Sequence, residues 1–150
     1  MAKFTYRMQN ILDIKMKMEE TAKQEYAQAV ANLQKEEAVL QTLVLRRQEY
    51  YHAYQDSIQG KLDFLVIEEN ANAMDIMDLQ IQQQEDVIRD CSKQVELARQ
   101  KMAKEMQERK MHEKLKEKKF AQFLVELNET EKRETDEVAG YMFLNTEKEG

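Results

Sequence analysis

The stretch QDSIQGKLD, Gln55 to Asp63, decides the fold, because it holds the one interior turn signal in 150 residues. Gly60 suits a helix end in the left-handed conformation, and Asp63 suits the cap of the helix that follows. On both sides the chain is free of proline and rich in Glu, Lys, Gln, Leu, Met and Ala, the composition of long helices and coiled coils. No strand-like run bounded by turn residues stands out. The reading is an all-α chain. Two long helices, 4–58 and 64–138, form an antiparallel coiled-coil hairpin that fills 1–138, with the turn at 56–63. The second helix is the longer, and a frayed, flexible tail follows at 139–150.

Working outward from the turn, an apolar stripe runs through Met8, Ile11, Met18, Ala22, Tyr26, Ala29, Leu33, Leu40, Val44, Tyr51, Tyr54 and Ile58. Its steps are threes and fours, with an extra four at Ala22–Tyr26 and another near Leu40–Val44. Such stutters locally unwind a left-handed supercoil. The second helix offers Met77, Ile81, Ile88, Cys91, Val95, Ala98 and Met102 at heptad spacing, broken only by Gln84. Folded at Gly60, partners across the seam have numbers totalling 120 or 121, as in Leu40 with Ile81 and Leu33 with Ile88. The polar breaks coincide too, since Gln84 then faces Glu36. One polar layer can fix register at some cost in stability.

The same register leaves the second helix without an intramolecular partner beyond about Lys118. Phe120, Phe123, Leu124 and Leu127 then make an apolar strip that awaits another chain. Just before it lies a basic collar. Residues 1–60, 61–98, 99–119 and 120–150 carry net charges of 0, −6, +5 and −5. The glutamates within the collar and its lack of aromatics argue against nucleic acid, and favour an acidic protein surface. Near the turn, Tyr50, Tyr51 and Tyr54 gather beside Arg46, Arg47 and His52, a combination common at protein interfaces.

No catalytic constellation emerges. His52 and His112 lie far apart in the hairpin register, Cys91 falls on the seam, and Gly60 stands alone rather than in a phosphate-binding loop. The expectation is a non-enzymatic chain with no metal, no cofactor and no small-molecule substrate. A single cysteine fits a reducing compartment. Apolar runs such as FLVI stop at four residues, far short of the roughly 20 a membrane span needs.

Both ends of the chain resemble one family. Phe4 to Lys15 reads F-x-Y-R-M-Q-N-I-L-D-I-K, Glu108 to Lys119 reads E-R-K-x-x-E-K-L-K-E-K-K, and an acidic tail contains TDE at Thr135 to Glu137. With the long helical body between, this is similar to the flagellar export protein FliJ family, the coiled-coil component of the flagellar type III export apparatus. The resemblance implies a cytoplasmic protein, a monomer on its own, associated with the inner face of the cell membrane at the flagellar base. It implies a stalk that enters and helps assemble a hexameric export ATPase, contacts the membrane export gate protein, and escorts export chaperones. Carried over, Phe4, Arg7, Ile11, Arg109, Lys110, Lys114, Lys118, Lys119, Phe120 and Phe123 would face the ATPase ring, and Leu43, Tyr50 and Met77 the gate. The competing expectations are a cytosolic coiled-coil holdase and a self-assembling structural coiled coil joined through the 120–127 strip.

Overall fold

In a computed structural model the chain forms two helices, α1 (Gln9–Ser57) and α2 (Phe64–Glu149), packed against each other as a hairpin with α2 the longer. The structure describes residues 2–149, with side chains through 147; Met1 and Gly150, which the expected hairpin and tail include, lie outside the described residues. Gly60 turns the chain with φ of 73°, a conformation that L side chains adopt only with strain. The Gln59 amide donates to the Asp56 carbonyl at 3.2 Å. Asp63 then starts α2: its carboxylate accepts from the Leu65 amide at 3.1 Å and its carbonyl from the Ile67 amide at 3.1 Å. These bonds satisfy donors that the first helical turn leaves open.

Two boundaries differ from the expected ones. α1 starts at Gln9 rather than at residue 4. Phe4 and Tyr6 stand on a non-helical arm, where Tyr6 is buried and Phe4 packs against aromatic side chains of α2. Burial of two aromatic rings outweighs the modest propensity gained by one more helical turn. α2 in turn passes the expected end at 138 and runs through Glu149. Residues 139–149 contain no proline, and a single Gly140 costs a helix only about 1 kcal/mol relative to Ala.

The chain divides into two compact units. The first, Glu20–Lys104, contains the turn. Its α1 seam reads Ala22, Tyr26, Ala29, Leu33, Glu36, Leu40, Leu43, Arg47, Tyr54 and Ser57, all buried or half-buried. Apart from Tyr50, which is 38% exposed, this is an unbroken alternation of threes and fours. The expected stutters are absent. Val44, Tyr51 and Ile58, read as seam residues, are exposed. The α2 seam follows Met77, Ile81, Gln84, Ile88, Cys91, Val95, Ala98 and Met102, as the spacing predicts.

Polar residues on this seam have partners across it. The Gln84 side-chain amide donates to the Glu36 carbonyl at 2.9 Å and to its carboxylate at 2.6 Å. Arg47 Nε donates to Asp78 at 2.5 Å, which raises the guanidinium pKa chiefly through that bond and then through the charge of Asp78. Off the seam, exposed Lys101 bonds exposed Glu25 across the two helices at 2.9 Å. The second unit, Met1–Glu19 with Glu105–Gly150, buries Tyr6 and Leu12 as its apolar core.

Replacing the polar layer with Glu36→Leu plus Gln84→Leu should raise the urea midpoint, by about 1–2 kcal/mol in stability. Cysteine cross-linking at Leu33 and Ile88 should become less selective for the intramolecular bridge. A stability loss in the double variant would show that the layer contributes more than register.

Candidate functional site

The second unit is built around charge. α1 contributes Lys15 and Glu19 one and two steps after Leu12, and α2 answers with Glu105, Glu108, Arg109 and His112. Glu19 is 5% exposed and Glu105 is 7% exposed. Arg109 Nε donates to Glu19 at 2.5 Å and its Nη1 to Glu113 at 2.7 Å. These two bonds, that to Glu19 first, raise the guanidinium pKa. Lys15 Nζ donates to Glu108 at 2.8 Å, and this bond, with the nearby charges of Glu108 and Glu105, keeps the ammonium above its usual range. One carboxylate oxygen of Glu105, Nδ1 of His112 and the Tyr6 hydroxyl are buried without a hydrogen-bond partner. Such groups carry a desolvation penalty.

Beyond this charged seam comes an aromatic cluster. The Phe4 ring lies edge-on to Phe120 at 5.2 Å and tilted against Phe123 at 5.4 Å, while Phe120 and Phe123 stack at 6.5 Å. The strip expected to lack any intramolecular partner therefore has one, supplied by the non-helical arm. The cover is incomplete: Phe120 and Leu124 remain 44% and 42% exposed. A cleft of about 630 Å³ opens beside the arm, lined by Lys3, Phe4, Tyr6, Lys119, Phe123 and Glu126 among others.

The residues expected to face an ATPase ring all belong to this unit, but they divide in role. Arg7, Lys110, Lys114, Lys118 and Lys119 are exposed and form no ion pair among the described residues. Arg109 is held inside by Glu19 and Glu113, so it contributes little to the collar's outward charge. Ile11 is exposed, not on the seam where the apolar stripe placed it. Together with Ile14 and Met18 it forms an outward apolar row at i, i+3, i+7. Only Leu12 tells the two faces apart, and its significance is hidden in the sequence by the charged residues that continue its row.

Of the three residues expected to face the gate, Tyr50 is open to solvent, Leu43 is half-buried and Met77 is buried. Met77 can brace a surface but cannot present one. The spacing also passes over Leu62, Phe64 and Leu65, which stand exposed at the turn, Phe64 by 76%. The FLVI run was visible, but periodicity alone does not say which of its side chains remain outside. No group of three or more potential metal ligands occurs among the described residues, and no helix among them is long and apolar enough to cross a membrane.

A family model described as Flagellar FliJ protein matches residues 4–148. The chain belongs to the FliJ family. No curated protein and no solved structure matches it. Membership gives the chain a role in flagellar protein export, and the helical hairpin accords with the family resemblance at both ends of the sequence. Within this FliJ-family chain, the matched span takes in the arm from Phe4, the charged seam, the lysine collar and the aromatic cluster.

The charged seam makes a testable demand on stability. Glu105→Leu, which removes a buried carboxylate with an unpartnered oxygen at a heptad position, should raise the melting temperature, by about 1–2 kcal/mol of stability. Arg109→Met should lower it, because Glu19 loses its two-pronged partner. Thermal unfolding by circular dichroism checks both, and the two shifts should have opposite signs.

Proposed function

We propose that the chain is a non-enzymatic stalk of the flagellar export apparatus, whose terminal unit enters and helps assemble a hexameric export ATPase. The supporting observation is the placement of exposed Lys110, Lys114, Lys118 and Lys119 directly before the partly open Phe120 and Leu124 on one helix. Exposed charges act over a Debye length of about 8 Å at physiological salt and speed encounter with an acidic surface. The apolar positions act only on contact. Because Phe4 already holds Phe120 and Phe123, Leu124 is the cleaner apolar anchor. Burying its open surface contributes about 1 kcal/mol, roughly fivefold in Kd. In the same reading the turn-containing unit faces the membrane export gate through Tyr50 and Leu43, with Met77 behind them. The chain works in the cytoplasm at the inner membrane face and escorts export chaperones.

Binding of the purified chain to the export ATPase, followed with hexamer formation, tests the proposal. Lys114→Glu with Lys118→Glu and Lys119→Glu should slow association and flatten its salt dependence. Leu124→Ser should chiefly speed dissociation, with helicity intact in both variants. Tyr50→Ala should weaken gate binding and motility without loss of helix. Unchanged ATPase binding in both the lysine and Leu124 variants would remove the terminal unit from the interface.

A further inference from the structure

Beyond residue 127, α2 continues a pattern that the stalk reading uses only in part. From 128 through 147 every side chain is exposed, so this stretch packs against nothing among the described residues. A helix draws most of its stability from the packing of an amphipathic face. This segment has such a face. Stepping alternately by four and three, it runs Phe120, Leu124, Leu127, then Glu131 and Glu134, then Val138, Tyr141 and Asn145, the seam pattern of a two-stranded coiled coil. Leu124, Val138, Tyr141 and the flanking Met142 and Leu144 are all classed among the exposed large hydrophobics.

We propose that this face pairs with the same face of a second copy of the chain, antiparallel, about a two-fold axis between Lys132 and Arg133. The occupant follows from the order of the residues. Along the seam, apolar Leu124 and Leu127, a polar block at 128–137, and apolar Val138 and Tyr141 read alike in both directions, with Phe120 falling opposite Asn145 at the margin. Reversal therefore sets Leu127 against the second copy's Val138, and Leu124 against its Tyr141. A two-fold interface requires this kind of self-complementarity.

The positions beside the seam select the antiparallel arrangement. They place Phe123 opposite the second copy's Leu144, Ala121 opposite its Met142, and Asn128 opposite its Thr135. A parallel pair would set Phe123 against Asn128 and Glu137 against Met142, apolar against polar each time. Glu129, Lys132, Arg133 and Asp136 fall on the outer face in either arrangement and stay in water. Glu131 meets the second copy's Glu134 on both sides of the axis. This like-charge contact weakens the pair and makes association depend on concentration. Pairing covers Leu124 as well as Phe120 and Phe123, so a paired copy cannot offer the apolar anchor of the stalk reading to another protein, and the two uses of this face exclude each other.

The test uses the full chain with Cys91→Ala. Leu127→Cys and Val138→Cys variants are prepared separately, mixed and mildly oxidised. The expected main product is the mixed disulfide between the two variants. Light scattering of the unsubstituted chain should pass from monomer to dimer mass as concentration rises, and Glu131→Leu with Glu134→Leu should tighten the dimer about tenfold or more. Glu131, Glu134 and Val138 are exposed, and Leu127 and Cys91 are half-buried positions that take small apolar replacements, so helicity should persist in every variant. Disulfides formed mainly between identical variants would overturn the antiparallel register, and a monomer mass up to millimolar concentration would overturn the pairing itself.

Discussion

The heptad register of α1 is the constraint on which the rest depends. Once Leu12, Ala22, Leu33 and Leu40 face α2, helix geometry assigns the intervening threes and fours whatever residues happen to stand there. Glu19, Glu36 and Arg47 take such places. Two helices cannot enclose a side chain as a globular core does, so most seam residues are only half-buried and a charged residue retains some water. What remains of the penalty is met by a partner opposite: Arg109 for Glu19, Gln84 for Glu36 and Asp78 for Arg47. The apolar side chains displaced from the seam, Ile11, Met18 and Val44 among them, become surface.

This explains how far the sequence could be read. The hairpin, its turn at Gly60, the α2 seam and the Glu36–Gln84 layer were legible, because in those places apolarity and register agree. The α1 seam was misread at Ile11, Met18, Val44, Tyr51 and Ile58, because following hydrophobicity required stutters where an unbroken heptad with charged members packs better. The non-helical arm was illegible for a different reason. Phe4, Thr5 and Tyr6 carry no strong local signal, and their conformation is set by a long-range contact with Phe120 and Phe123. The lysines of the candidate surface could be picked out from charge alone. The internal use of Arg109 could not, since it depends on Glu19 lying on the seam.

The two units also differ in what holds them. Glu20–Lys104 relies on small and apolar seam residues, with isolated polar pairs among them. The unit formed by the chain ends relies on a cluster of ion pairs capped by three aromatic rings. Glu19 is buried, but the pairs through Glu108 and Glu113 keep solvent access, and such pairs contribute little net stability and are screened by salt. The unit richest in exposed lysine is thus also the one whose internal pairing responds more to its ionic surroundings.

The arm has a geometric consequence as a gearing element. Eleven residues separate Phe4 from Lys15, whereas twelve separate Phe120, and fifteen Phe123, from Glu108, the partner of Lys15. A helix advances about 1.5 Å per residue and a stretched chain about 3.3 Å. By leaving the helix before Gln9, the chain gains enough reach to bring one ring level with two rings farther along α2. One residue inserted into or deleted from the arm would therefore move Phe4 by about two residues' rise along α2, enough to take it off one phenylalanine. The length of this segment is set by reach along a neighbouring helix, a requirement that its composition alone does not reveal.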